Sequence, residues 1–167
     1  ASGKGGVGKT TFAVNFALAL SERAPTVLVD LDTATSSVRG AIGTAIGKDL
    51  YHFHRQGAQL PECITRLDPT LDRSGQFRKF GFVAGPKHFI EELGNPSAEF
   101  RRRLSEAINA LPVDYVVLDL RAGLDANVLD FLPYTNSGML VVTPNLPQAT
   151  LAASDIVKAI LFRTLRM

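Results

Sequence analysis

A glycine-rich run near the start of the 167-residue chain has the spacing of a phosphate-binding loop. Residues 3–10 read GKGGVGKT and satisfy the pattern G-x-x-x-x-G-K-[ST]. Glycine permits positive φ and has no Cβ, so several backbone N–H groups can converge on phosphate oxygens. The residues that we expect to bind the phosphates are Gly3, Lys4, Gly5, Gly6, Val7, Gly8, Lys9, Thr10 and Thr11.

Two side chains at the end of this loop add what the main chain cannot supply. Lys9 is placed to reach the β- and γ-phosphates of a nucleoside triphosphate, and the Thr10 hydroxyl is placed to ligate Mg²⁺. A helix predicted directly after the loop would direct its N-terminal amides and partial positive charge at the same anion. The alternative is a glycine-rich turn before an ordinary helix.

Two predicted strands end in aspartate. Residues 26–30 read TVLVD and residues 116–119 read VVLD, each an apolar run closed by an acid. The carboxyl ends of the strands of a parallel sheet form its ligand-binding edge. Asp119 is therefore predicted to hold Mg²⁺ through a coordinated water, as in a Walker B strand. The alternative is a solvated carboxylate at a strand end.

A second lysine in the loop gives the chain a family resemblance. The string KGGVGKTT at residues 4–11 resembles the deviant Walker A loop of the MinD/ParA ATPases. That resemblance implies that Lys4 reaches across a dimer interface to the partner's nucleotide, much as an arginine finger does. The segment 29–32, VDLD, resembles the switch I segment of the same family. By resemblance, Asp32 orients the attacking water and Asp30 supports the water shell of Mg²⁺.

The motifs and the resemblance together define the candidate site. Its catalytic residues are Lys4, Lys9 and Asp32, and its metal-binding residues are Thr10, Asp30, Asp32 and Asp119. The implied cofactors are ATP and Mg²⁺, and the choice of ATP over GTP rests on the resemblance alone. Asp30 or Asp32 could instead cap the following helix.

Residues 114–132, DYVVLDLRAGLDANVLDFL, look like the FlhG-type branch of the family. The resemblance covers nearly the whole chain and implies a regulatory ATPase switch for spatial positioning, an ATP-dependent homodimer and a regulatory protein partner. It also implies a cytoplasmic protein, with peripheral membrane contact through a segment outside this sequence. The alternatives are a ParA-like ATPase that binds DNA, a non-hydrolysing nucleotide-binding scaffold and, more remotely, a metabolic amidoligase.

Two features depart from the family pattern. Arg121 stands where the family usually has a small residue. It could reach a phosphate or the partner subunit, or it could pair with Asp125 or lie in solvent. Ser36 and Ser37 follow the switch acids in place of the usual family residues, which leaves the details of the switch open.

Alternating helices and strands must position these residues. The apolar patterns predict strands at 26–30, 77–84, 114–119 and 138–143, helices at 10–23, 99–111, 127–132 and 151–165, and short helices and loops between 33 and 76. This alternation predicts an α/β fold with three layers, a mostly parallel twisted sheet with helices on both faces. The resemblance refines the class to a P-loop NTPase of the SIMIBI type. We expect the apolar residues Ile156, Ala159, Ile160 and Leu161 of the last helix to belong to the core rather than to contact a membrane.

The length of the chain suits a single domain, residues 1–167. We expect that domain to be incomplete at both ends. Only Ala1 and Ser2 precede the loop, where a buried strand is normal, and the last helix has no stop signal.

The composition limits the classes of partner and the cellular compartment that we expect for this chain. The 18 basic and 16 acidic residues leave a net charge of +2, too small to favour nucleic acid as the main partner. The single cysteine, Cys63, excludes an internal disulfide and argues against the iron–sulfur branches of the superfamily, and it fits a reducing cytoplasm. No apolar run approaches the roughly 18 residues of a membrane span.

Two further clusters have ordinary explanations beside functional ones. Residues 101–103 are three consecutive arginines on a predicted helix, with Arg78, Lys79 and Lys87 upstream. They could bind DNA or anionic lipid, or form a solvated helix face. His52 and His54 have the spacing of one strand face, but the sequence around them favours a helix and offers no further metal ligands.

Overall fold

The computed structural model describes residues 5–32, 37–88, 90–123, 131, 135–143 and 147–165. The chain forms two compact units, one of residues 10–119 and one of residues 1–9 with 120–167. The elements in chain order are α1 (Lys9–Ser21), β1 (Thr26–Leu31), α2 (Ser37–Ile42), α3 (Leu50–Arg55), a 3₁₀ turn (Leu60–Cys63), β2 (Ile64–Thr65), β3 (Phe80–Val83), α4 (Glu91–Gly94), α5 (Ala98–Asn109), β4 (Tyr115–Leu120) and α6 (Pro147–Leu165).

Four strands of the described residues form one sheet in the order β2-β3-β1-β4. Strands β1 and β3 are parallel, with Thr26 opposite Phe80 and Val29 opposite Val83. The two-residue strand β2 runs antiparallel to β3. All six residues of β1 are buried, which explains its unbroken apolar run between two neighbouring strands.

The core of the unit formed by residues 10–119 joins the first two helices to the sheet. Small residues on α1 allow that helix to approach the strands closely, and Ala17 is fully buried. Rings on β3 fill the space beneath, with Phe80 and Phe82 stacked at 6.2 Å between centroids. The buried members of this cluster are Ala13, Val14, Ala17, Leu28, Val38, Ile42, Phe80, Phe82 and Ala84.

A second layer of contacts joins α3 to α5. Phe53 and Phe100 meet edge to face with centroids 6.1 Å apart, and the ring of His54 lies 4.8 Å from Phe100. The guanidinium of Arg103 lies 5.0 Å from the centre of the Phe53 ring. Arg103, one of the three consecutive arginines on this helix, therefore packs on aromatic rings. His52 takes part in the capping box of α3.

Several predicted elements differ from the structure. The strand expected at 77–84 is confined to Phe80–Val83, because residues 77–79 form a turn. The strand predicted at 138–143 is wrong, since this segment has no regular secondary structure. Its apolar side chains Met139 and Val142 are 44% and 37% exposed, so the run is not buried between helices as we expected. The helix predicted at 127–132 falls mostly outside the described residues.

Burial also differs from expectation in two elements. Strand β4 forms where predicted, but Tyr115 is exposed and only its last two residues are buried. Of the four α6 residues predicted to be core, Ile156 is buried and Ala159 is half-buried, whereas Leu161 is 55% exposed and Ile160 is 38% exposed. No helix in the described part of the chain combines the length and apolarity needed to cross a membrane.

Candidate functional site

The glycine-rich loop leads directly into α1. Lys9 is the first residue of the helix and is 9% exposed. Gly6 and Gly8 have φ of 78° and 86°, a backbone conformation that disfavours any residue with a Cβ. A Cβ built at either glycine would meet no atom within 4 Å, so the loop borders open space. This conformation meets the backbone requirement of a phosphate cradle. Gly3 and Lys4 lie outside the described residues.

Thr10 connects the loop to the predicted Walker B strand. Its hydroxyl donates a hydrogen bond to Asp119 Oδ2 at 2.6 Å, across 109 residues of sequence. The same hydroxyl lies 2.9 Å from the hydroxyl of Ser37, the first residue of α2. The structure thus brings together the start of α1, the end of β4 and the start of α2.

A second carboxylate, Asp30, lies beside this group at the end of β1. It is fully buried, and it accepts the backbone N–H of Asp32 at 3.1 Å and that of Val38 at 3.3 Å. Burial, and next the charge of Asp119, raise the pKa of Asp30 to about 7. The two backbone hydrogen bonds act in the opposite direction but are outweighed. A divalent cation beside these two acids would relieve their repulsion.

The oxygen donors at this point fit Mg²⁺. Hydroxyls and carboxylates are the hard ligands that Mg²⁺ prefers, and in nucleotide sites the ion takes few protein ligands together with phosphates and waters. Thr10, Ser37, Asp30 and Asp119 offer four such side chains. Among the described residues, no cluster of three or more His, Cys, Asp or Glu side chains is arranged to hold a metal.

The structure also describes three other residues that the sequence analysis singled out. Asp32 follows β1 and is half-buried, and its backbone N–H is held by Asp30. Thr11 is exposed, and its carbonyl accepts a hydrogen bond from Asn15 at 2.8 Å. Arg121 directly follows β4 and is half-buried, while its predicted partner Asp125 lies outside the described residues.

Ser37 is the residue that the sequence interpretation missed. In the sequence it stands out only as a departure from the family pattern, although its hydroxyl lies within hydrogen-bond distance of Thr10. A small hydroxyl residue that begins a helix shortly after the switch acids was the available signal. Its contact with a residue 27 positions earlier depends on the packing of α2 and could not be read from local spacing.

Comparison with known families identifies the family to which this chain belongs. Residues 1–160 match the CbiA family, described as the CobQ/CobB/MinD/ParA nucleotide-binding domain. The chain belongs to this family. The resemblance to MinD/ParA proteins that the loop sequence indicated is therefore confirmed.

Curated relatives of this MinD/ParA-family domain include two kinds of site-determining protein. The flagellum site-determining protein YlxH of Helicobacter pylori is 28% identical over 166 residues, covering 94% of this chain and 51% of the relative. A putative septum site-determining protein MinD of Chlorella vulgaris is 25% identical over 146 residues, covering 87% and 49%. The chain spans about half the length of these relatives.

Solved structures confirm the fold class. MinD from Pyrococcus horikoshii, complexed with Mg-ADP, superposes with a TM-score of 0.77 at 23% identity, over 98% of this chain and 63% of that one. A plasmid partition protein from Borrelia burgdorferi gives the same TM-score at 20% identity, over 99% and 72%. At these identities the likeness shows the fold alone. The predicted α/β class, a mainly parallel sheet with helices, is correct.

Proposed function

We propose that this MinD/ParA-family domain is a Mg²⁺-dependent switch that binds and hydrolyses ATP. The observation that carries the proposal is the hydrogen-bonded group formed by Thr10, Asp119 and Ser37 at the start of α1, next to the buried Asp30. Hydroxyls and acids from four separate elements, α1, α2, β1 and β4, converge at the start of α1. This is the arrangement that a triphosphate with its cation requires.

Binding is assigned to the loop and the start of α1. The N–H groups of residues 5–9 would hold the phosphate oxygens, and the ammonium of Lys9 would neutralise the β- and γ-phosphates. The Thr10 hydroxyl would turn from Asp119 to ligate Mg²⁺, and Asp119 would hold a metal-bound water. When bound, Mg²⁺ would supply neutralisation of the negative charge of the phosphates.

Hydrolysis is assigned to Asp32, with help from Asp30. Phosphoryl transfer needs mainly positioning and charge stabilisation, so one well-placed carboxylate is enough to orient the attacking water. The hydrogen bond from Asp32 N–H to Asp30 ties the two acids together at the end of β1. Asp30 would support the water shell of the ion. Lys4 would contribute its charge to the nucleotide of a partner subunit.

The biological role that we infer is spatial positioning by a cytoplasmic ATP-dependent homodimer with a regulatory protein partner. The printed names of two relatives, a flagellum site-determining protein and a septum site-determining protein, support this inference. ATP would favour the dimer, and hydrolysis would return it to the monomer.

The test is the oligomeric state of a hydrolysis-blocked variant. Asp32→Ala with ATP and Mg²⁺ should elute as a dimer in size-exclusion chromatography with light scattering, and with ADP as a monomer. Lys9→Ala should stay monomeric because the phosphates lose their main cation, and Lys4→Ala should bind ATP as a monomer. A purely monomeric Asp32→Ala that binds ATP would contradict the switch while leaving ATP binding intact.

A further inference from the structure

A groove lined by three arginines lies at the opposite end of the sheet from the acids. Phe80, the first residue of β3, lies in the groove and pairs in register with Thr26, the first residue of β1. Asp30 lies four residues beyond Thr26 on β1, which puts it about 13 Å from Thr26 at the rise of a strand. The groove has a volume of about 530 Å³, a size typical of ligand sites. It is therefore separate from the phosphate site.

The two acids of the loop between β2 and β3 are occupied by the loop itself. Asp68 Oδ1 accepts the N–H and the hydroxyl of Thr70 at 2.8 and 2.6 Å, and these bonds lower the pKa of Asp68. Asp72 accepts the N–H groups of Gln76 and Phe77 at 2.9 and 3.0 Å. Both carboxylates thus order the backbone of the loop.

The three arginines that line the groove are Arg66, Arg73 and Arg78, and all are exposed. Arg66 Nη1 donates to the carbonyl of Phe80 at 3.0 Å, which fixes its guanidinium beside the groove. Arg78 lies against Gly75, where φ is +68° and a Cβ would be 2.3 Å from Arg78 Nε. No carboxylate among the described residues forms an ion pair with any of the three.

Apolar side chains lie between these charges. Leu67 and Phe77 are half-buried in the lining, and Phe80 is fully buried beneath. Guanidinium groups bind carboxylates with two parallel hydrogen bonds, and arginine clusters commonly recognise acidic motifs. An apolar surface between such groups suits an apolar side chain of the same ligand. The groove thus combines the two features that an acidic peptide with interspersed apolar residues requires.

We propose that this groove binds an acidic peptide segment of a partner protein. Its carboxylates would pair with Arg66, Arg73 and Arg78, and one apolar side chain would pack on Leu67 and Phe77. Such a segment would occupy the domain together with a nucleotide, because the two sites lie at opposite ends of β1.

A peptide fits better than nucleic acid for two reasons. Asp72 is part of the lining, so an uninterrupted row of phosphates would pass a fixed negative charge. The chain carries a net charge of only +2, whereas strong nucleic-acid binding draws on many phosphate contacts. Carboxylates spaced along a peptide can avoid Asp72 and still reach the arginines.

The test uses a fluorescein-labelled octapeptide of alternating glutamate and leucine, followed by anisotropy with the intact protein. Arg73 is the best residue to change, since its side chain makes no hydrogen bond or ion pair within the part of the chain that the structure describes. We expect Arg73→Glu to weaken peptide binding at least about tenfold, the loss of one charge-assisted pair. The matched control is Arg102→Glu, the same charge change at an exposed position of α5 where Arg102 pairs with Glu106.

Two competitors and one direct ligand complete the experiment. Mg-ATP and tripolyphosphate should leave the peptide bound, and a labelled 20-base-pair DNA duplex should bind with the same affinity to Arg73→Glu as to Arg102→Glu. The proposal is overturned by an absence of peptide binding, by equal effects of the two substitutions, or by displacement with Mg-ATP, which would place the peptide in the phosphate site. Loss of DNA binding in Arg73→Glu without loss of peptide binding would assign the groove to nucleic acid. ATP binding measured on the same variants tests the nucleotide switch separately.

Discussion

At the scale of single residues, the most informative group is Asp30. A buried acid beside a second acid lowers the stability of the folded chain when no cation is bound, and the raised pKa of about 7 expresses that cost. Strongly shifted pKa values of this kind cluster at functional sites. The hydrogen bonds from Asp32 and Val38 hold Asp30 in place in spite of this cost.

Asp30→Asn should therefore change how stability depends on pH. Between about pH 4 and pH 7 the folded protein holds a proton on Asp30 that the unfolded chain has released, so stability falls as pH rises through this window. The slope is at most about 1.4 kcal/mol per pH unit for one group. Urea unfolding in EDTA at pH 5, 6, 7 and 8 should show this decline in the wild type and a flatter profile in Asp30→Asn.

Asp68→Asn is the matched control for that comparison. Asp68 is exposed, and hydrogen bonds from Thr70 lower its pKa, so it stays ionised throughout the range tested. Its profile should run parallel to that of the wild type. A profile for Asp30→Asn that also runs parallel to the wild type would show that Asp30 titrates normally.

At the scale of elements, α2 depends on contacts outside itself. A helix of six residues is too short to be stable alone. Burial of Val38 and Ile42 and a clamp by Arg39 hold it, because Arg39 Nη2 donates to Asp49 Oδ2 at 2.8 Å and to the carbonyl of Gly85 at 3.1 Å. The same helix carries Ser37 into contact with Thr10, so this clamp also positions the candidate site.

Removal of the Arg39 clamp should lower the free energy of unfolding. Asp49 is 5% exposed, so Arg39→Ala leaves a buried carboxylate without its guanidinium, at a cost of about 1–3 kcal/mol in unfolding free energy. Hydrogen exchange should also speed up in α2. Arg102→Ala, which breaks an exposed pair with Glu106, should cost less than about 0.5 kcal/mol. Equal losses in the two variants would show that the buried bridge contributes no more than a surface pair.

Local chemistry explains why some elements were predictable and others were not. The glycine loop and the acid-ended strands are short motifs whose constraints lie within a few residues, and the sequence located both. The segment 138–143 has the apolar composition of a strand, but a strand forms only by pairing with a neighbour, and composition does not report pairing. The arginine groove depends on the turn at Gly75 and lies in a stretch without periodicity, so no pattern indicated it.

At the scale of the whole molecule, proteins whose sequences differ widely share this fold. Structures only 20–23% identical superpose over almost the entire chain. The parallel pairing of β1 with β3 sets which strand ends share an edge, and this sheet can be built from many apolar sequences. The residues to which we assign the proposed function are few, and they lie at the ends of β1 and β4 and at the starts of α1 and α2.

The effect of Mg-ATP on the stability of the intact chain tests whether the nucleotide binds at these residues. Mg-ATP at a hundredfold excess over its dissociation constant should stabilise the native state by about 2.7 kcal/mol. For a chain of this length, that corresponds to a rise in Tm of about 5–10 °C by scanning fluorimetry. The rise should vanish in Lys9→Ala and shrink in EDTA. Asp32→Ala should keep it, because Asp32 is assigned to the attacking water and not to phosphate binding. A full rise in Lys9→Ala would show that the nucleotide binds elsewhere, and its loss in Asp32→Ala would move that carboxylate from hydrolysis to binding.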